Sequence, residues 1–303
     1  MVFSEMPKSS PSVRGGFLFE QKYGIILSRD TIRDIWHLGM VSELMFTILI
    51  YSAMFCLGLI YGSFLNSWAW RTKEKVCDVG GRSVCVRCKR QLRWYDNIPL
   101  LSYMVLKGRC RFCKGKISWR YPLIELGVGI IFALVVFYLS QNSELGYWSA
   151  LRPLILVGFL SAIAIFDLLY GLIPTEVAWA GVFAGVGLNF FTRQITIQSI
   201  LIGAVVGGGF FAIQYALSRG RWIGGGDIRL GIMMGAWLGW PGIITGLGIS
   251  YVLGAFVAIL LLVLKKKKWA GEIPFGPYLA VGTVVAMIVG EKLVRWYLRI
   301  IGT

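Results

Sequence analysis

Four cysteines stand as two pairs, Cys85-x-x-Cys88 and Cys110-x-x-Cys113, with 21 residues between the pairs. Two residues between cysteines let both sulfurs turn toward one ion, and two such pairs supply the tetrahedral thiolate set of structural zinc. That set leaves no open coordination position, so the expected metal braces a loop rather than activating water. Four unliganded thiols are the plainer reading, and disulfides would require an oxidising compartment. Cys56, inside an apolar run, and Cys77, without a partner, are expected to be packing residues or spare thiols.

The second chemistry is carried by acids. Glu125, Asp167 and Glu176 lie inside apolar stretches, and Asp227 ends the run Gly224-Gly225-Gly226-Asp227 at the edge of another. Acids within such stretches are rare and usually functional. Two carboxylates brought close cannot both ionise, so the pair shares a proton. A pair of that kind takes a proton from water and returns one to a leaving amine, which is aspartic-protease chemistry. Gly224 and Gly226 would let a substrate backbone approach the second acid, and Pro174 would keep the first near an irregular helix end. Two other readings stand beside this one. Asp227 is placed to cap a helix, and buried acids also form proton relays in transporters.

These groups need elements to hold them. The chain has 303 residues, 56% hydrophobic and only 15% charged, with a mean hydropathy of +0.68. This excludes a disordered chain and argues against an ordinary soluble domain. Apolar stretches of spanning length read as 45–70, 121–140, 153–171, 172–191, 197–217, 228–240, 241–264 and 273–290. In lipid every backbone polar group must be satisfied internally, so the stretches predict helices. The fold class is therefore an all-α polytopic membrane protein of about eight spans, with a small cytoplasmic zinc-knuckle domain between the first two. The break at Trp240-Pro241 is its softest boundary.

Charge orients the spans. Residues 71–120 hold 14 Lys/Arg against three acids, and Lys265–Lys268 add a second basic loop on the same side. The positive-inside rule puts these segments, and with them Asp167 and Asp227, at the cytoplasmic face. The basic tail (Lys292, Arg295, Arg299) runs mildly against it. Topology accounts for the net charge of +16, so no nucleic-acid partner is expected, and the lipid bilayer is. The parts are 1–44, a polar outer segment; 45–70, the first span; 71–120, the cysteine-bearing loop; 121–290, the remaining spans; and 291–303, a tail. No cleavable signal opens the chain, no internal repeat is evident, and His37 has no assigned role.

The ordered motifs resemble those of type IV prepilin peptidases, the GxGD-type membrane aspartic proteases also called leader peptidase/N-methyltransferases. The resemblance runs over about 45–290. It includes Gly62-Ser63-Phe64-Leu65-Asn66, both Cys-x-x-Cys pairs, Asp96-Asn97-Ile98-Pro99-Leu100-Leu101-Ser102-Tyr103, Gly108-Arg109-Cys110, and Ile117-Ser118 with Arg120-Tyr121-Pro122 and Glu125. Asp167 with Pro174, the motif ending at Asp227, and Pro274-Phe275-Gly276-Pro277 follow. Three departures stand out. A second acid is lacking two residues after Asp167, Thr175 stands where many relatives have Asp, and some 40 residues precede the first span, so Met40 or Met45 is an alternative start.

The resemblance implies a bacterial cytoplasmic-membrane enzyme that removes the basic leader from type IV prepilins or type II secretion pseudopilins. It would then methylate the new amine with S-adenosylmethionine. Asp167 and Asp227 match the family's catalytic pair, and Cys85, Cys88, Cys110 and Cys113 its zinc ligands. The alternative is a proton-coupled transporter with a zinc-braced loop. A polar methyl donor cannot sit deep in lipid, so its pocket is expected between the knuckle and the ends of the first two spans. Asp96, Asn97 and the flexible Gly108 would line it, Asn66 and Glu125 would form its floor, and Trp94 or Tyr95 would stack on the adenine.

Overall fold

The computed structural model describes residues 29–74, 83–141, 147–264 and 274–302. The chain divides into two compact units, Met1–Leu49 and Ile50–Thr303. The described part of the first unit is the beginning of a long helix. Cys77 and Lys265–Lys268 lie outside the described residues.

The described chain is helical: α1 (Arg29–Glu74), α2 (Leu101–Val105), α3 (Arg120–Ser140), α4 (Tyr147–Tyr170), α5 (Thr175–Thr192), α6 (Ile197–Ser218), α7 (Gly225–Val263) and α8 (Gly276–Ile301). A 3-10 turn covers Trp94–Asn97. The only extended pairing among the described residues is two isolated bridges, Val84 with Gln91 and Arg109 with Lys116. Large apolar side chains point outward along the helices, Phe183 (70% exposed), Phe191 (79%), Val205 (72%) and Val252 (70%) among them. A soluble protein rarely carries so much exposed apolar surface.

The helices approach closely because small residues face each other. A side chain added at Gly203 or Gly207 on α6 would strike the carbonyls of Gly235 or Gly231 on α7, at 2.7 and 2.2 Å. On α1, Gly58 and Gly62 are likewise pressed against the α3 backbone at Gly129 and Glu125. Such small-x-x-x-small stripes bring backbones into van der Waals contact where no hydrophobic force separates helix from lipid.

By length and composition, five described helices can cross a membrane, or six if the two parts of α8 (Gly276–Gly290 and Lys292–Ile300, bent by 68°) form one span. The sequence count was eight. Each of the eight expected stretches falls on a helix, but 228–240 and 241–264 are the halves of α7, and α5 is not among the helices apolar enough to cross. Residues 291–301 of the expected tail are the end of α8.

The α7 break has a clear cause. Gly239 is at φ +64°, and Pro241 has no N–H for the carbonyl of Trp237. Freed backbone groups in an apolar interior must find other partners. Here the Ala236 carbonyl accepts from Asn189 Nδ2 (2.8 Å), the Trp237 carbonyl accepts from Arg152, and the Trp240 N–H donates to Ser199 Oγ (2.8 Å). Arg152 and Asn189 are buried. The sequence alone points to neither, beyond their being polar residues in or beside apolar stretches.

Candidate active site and metal centre

Asp167 lies one turn before the end of α4, which closes at Gly171, at φ +65°, with its N–H on the Asp167 carbonyl (2.8 Å). Pro174 then serves as N-cap of α5. The Asp167 side chain, 7% exposed, accepts a hydrogen bond from the Gly276 N–H at the start of α8 (2.7 Å). A Cβ at Gly276 would lie 2.8 Å from that carboxylate oxygen, so only glycine brings the amide so close. The role of Gly276 was not foreseen, though a glycine between two prolines marked the place.

Asp227, 8% exposed, is the third residue of α7 and accepts from the N–H of Gly224, the residue before the helix (3.0 Å). It is thus not the N-cap itself; its carboxylate closes the first turn from within, as the acid of a capping box does. Gly226 packs against Ile173 in the α4–α5 turn, where a Cβ would meet the Ile173 Cβ at 2.8 Å. Gly224 is itself exposed, and a Cβ there would meet only ordinary contacts. The Asp167 and Asp227 carboxylates are near enough to interact electrostatically, and Tyr251 is a further neighbour of Asp227. The departure at Thr175 has a local consequence: its hydroxyl accepts from Arg229. Glu176 is exposed in the first turn of α5, where a carboxylate suits the helix dipole.

The four knuckle cysteines converge. Their sulfurs all lie within 4.8 Å of one another, and Cys85 Sγ is 3.9 Å from Cys113 Sγ. Tetrahedral thiolate ligation at about 2.3 Å from zinc places sulfurs roughly 3.8 Å apart, so the four fit that ion. Partial burial opposes ionisation of Cys85, but the N–H groups of Cys88 and Arg87 and the thiols of Cys110 and Cys88 hold it at about 7. The two pairs sit on equivalent hairpins. Cys85 N–H bonds to the Arg90 carbonyl and Cys110 N–H to that of Gly115, both at 2.9 Å, and Lys89 and Lys114 follow at φ +56° and +55°. A short repeat, Cys-x-x-Cys-Lys, is therefore present after all. It was too brief to register as periodicity. Cys56, expected to pack or stay spare, is exposed on α1.

Between the knuckle and the ends of α1, α3 and α4 lies a cavity of about 460 Å³. Asn66, Asp96, Asn97 and Glu125 all line it, with Trp70, Tyr103, Tyr121 and Tyr170. Asn66 Nδ2 donates to the Tyr121 carbonyl (3.2 Å) and Asn97 Nδ2 to Ser83 Oγ (3.0 Å). Arg111 Nε and Nη2 both bond Asp96 Oδ1, at 2.8 and 2.7 Å, and the carboxylate raises the Arg111 pKa. Glu125 Oε2 accepts the Leu100 N–H (2.9 Å). It thereby holds a tight γ-turn, with Leu100 at φ +58° and Leu101 N–H on the Pro99 carbonyl (2.6 Å).

Three residues expected at this cavity do not line it. Gly108 is a left-handed turn at φ +66° covered by Tyr103, whose hydroxyl would meet a Cβ there at 2.8 Å. Trp94 is 80% exposed, and the Tyr95 ring carries the guanidiniums of Arg93 and Arg111. The aromatic rings that do line the space belong to Trp70, Tyr103, Tyr121 and Tyr170.

Comparison with known proteins matches residues 56–139 to the profile of the bacterial peptidase A24 N-terminal domain and residues 154–259 to that of the type IV leader peptidase family. Relatives named prepilin leader peptidase/N-methyltransferase include that of Aeromonas hydrophila, 32% identical over 82% of this chain and 94% of the relative. That of Aeromonas salmonicida is 35% identical over 73% and 75%, and that of Pseudomonas aeruginosa 30% over 81% and 92%. The chain belongs to the type IV leader peptidase family. It is therefore an enzyme, a peptidase. No solved structure matches the chain. The N-terminal profile spans both knuckle hairpins and all of the cavity wall except Leu169 and Tyr170, and the second profile spans Asp167 and Asp227.

Proposed function

We propose that this enzyme removes the basic leader of type IV prepilins or type II secretion pseudopilins by aspartic-dyad hydrolysis and then N-methylates the new terminus with S-adenosylmethionine. The observation that supports the reading is that Asp167 and Asp227 are both buried, each takes one backbone N–H at a helix start, and the two are near enough to interact electrostatically. One carboxylate, ionised, takes a proton from the attacking water; the other, protonated, donates to the scissile group. The exposed Gly224, next to the Asp227 carboxylate, supports the approach of an extended backbone. Proton-coupled transport draws no support from the family.

The cavity, with its polar wall and aromatic rings, is the place we assign to the methyl donor. The four cysteines would hold zinc, which when bound braces the loop that carries Asp96, Asn97 and Arg111. Residues 71–120 then form the cytoplasmic metal-braced part of the methyltransferase, 45–70 and 121–290 carry up to eight membrane segments with the peptidase, and 1–44 and 291–303 flank them. The location is the bacterial inner membrane, with the active site toward the cytoplasm. Under that orientation a membrane-impermeant thiol reagent should label a cysteine at Ser83 only from the cytoplasmic side and one at Gln141 only from outside; the reverse pattern overturns it.

The deciding experiment incubates the purified chain with a prepilin from its own genome and S-adenosylmethionine. One mass spectrum should show loss of the leader and a gain of one methyl. An unchanged prepilin would refute the peptidase reading, and leader loss without methylation would refute the second activity.

A further inference from the structure

Two carboxylates line the cavity, and they are held differently. Asp96 is matched by a guanidinium: Arg111 puts two donors on Oδ1, while Oδ2 is buried without a partner and sealed from the space. Glu125 accepts from the Leu100 N–H and bonds the Ser63 hydroxyl, and neither partner is a cation. The remaining charged side chains on the wall are Arg71, Arg87, Lys116 and Arg120. Of the two carboxylates on this wall, Glu125 is the one an entering ammonium can pair with, because its hydrogen-bond partners are an amide and a hydroxyl.

The position of Glu125 suits such a visitor. It is five residues into α3, about 7.5 Å along the axis from the helix start that faces the knuckle. Leu169 and Tyr170 form another part of the wall. Tyr170 is three residues beyond Asp167 on the same helix, about 4.5 Å along its axis. A chain cut at the dyad and still held by its apolar segment thus has its new terminus close to the cavity.

We propose that Glu125 receives the α-ammonium of the cleaved chain and removes its proton, making it a catalytic residue of the methylation step. The proposal rests on the assignment of the cavity to methyl transfer. The N–H bond breaks toward the Glu125 carboxylate, and the freed nitrogen lone pair forms the new N–C bond. The C–S bond to the sulfonium donor breaks with its electron pair left on sulfur. The product is a secondary ammonium, and Glu125 returns its proton to water. A charge-assisted hydrogen bond to the carboxylate positions the amine before transfer.

The test separates binding from turnover. Full-length protein without methyl donor is titrated with a synthetic apolar helical peptide carrying a free or an acetylated N-terminus. Wild type should prefer the free amine by about tenfold, Glu125→Gln should lose the preference, and Glu125→Asp should keep part of it. With S-adenosylmethionine and a pre-cleaved pilin, Glu125→Gln should methylate at least 100-fold more slowly, while prepilin cleavage stays within about threefold of wild type. Equal amine preference in wild type and Glu125→Gln overturns the proposal. So does a parallel loss of cleavage and methylation with a protease-sensitive 83–119 segment, which would reduce Glu125 to a brace for the Leu100 turn. Failure of wild type itself to methylate overturns the cavity assignment and the proposal with it.

Discussion

Replacing Asp167 or Asp227 by Asn should each reduce prepilin cleavage at least 1,000-fold, and the double variant should be no worse than the single ones. The reason is that the proton belongs to the pair. With one carboxylate neutralised permanently, the other has no partner to donate to the leaving amine, so the second substitution removes nothing further. Asn is the informative choice because both acids also accept backbone hydrogen bonds, Asp167 from Gly276 and Asp227 from Gly224. The amide oxygen keeps those bonds, and folding stability should change by no more than about 1 kcal/mol. Ala would confound chemistry with loss of the α7 cap, itself worth about 1 kcal/mol. Methylation of a pilin supplied already cleaved should survive in both variants. Near-normal cleavage by either single variant, read by mass spectrometry, would falsify the dyad.

Loss of the metal should act on the other activity. Purified protein should carry one zinc per chain, and Cys110→Ser or a strong chelator should remove it. Cys110 is the most deeply placed of the four, 3% exposed, and its neighbour Arg111 holds Asp96. The 83–119 segment has no sheet beyond two single bridges and one five-residue helix. Against the ordering entropy of roughly 1–2 kcal/mol per residue it buries little apolar surface. Zinc binding in such small folds supplies on the order of 10–16 kcal/mol. Without it the segment should become protease-sensitive and methylation should fall at least 100-fold. Cleavage should fall far less, because Asp167 and Asp227 sit on helices packed among themselves. Zinc analysis, limited proteolysis and the two activities measured side by side check this. A metal-free protein with an ordered, protease-resistant loop refutes it, and equal loss of both activities makes the loop a common brace.

Much of this was legible in residue types and spacing. Cys-x-x-Cys twice predicts one thiolate cluster, because ligand geometry across a two-residue turn is local. Apolar runs predict helices, because lipid offers the backbone no partners. Asn66, Asp96, Asn97 and Glu125, expected in one place, do share one cavity. The failures are equally physical. Trp94 and Tyr95 are near in sequence to Asp96, yet a 3-10 turn directs Trp94 outward and Arg93 and Arg111 cover Tyr95. Gly108 is a turn residue backed by Tyr103 rather than a wall of the pocket. Hydropathy alone could not tell two spans from one broken helix at Pro241.

What the sequence by itself determined is therefore the chemistry on offer: a thiolate set, acids in apolar helices, and the helical elements that local hydrogen bonding and solvent demand. What only the tertiary structure decided is who meets whom. Gly276 lies 109 residues from Asp167 and becomes its donor only because α8 starts against the end of α4. Arg152 and Asn189 satisfy carbonyls 85 and 47 residues away that a break in α7 had released. Asp96 is neutralised by Arg111 and Glu125 by no cation, a difference between two acids that arises from the neighbours each is packed against and is written in neither side chain.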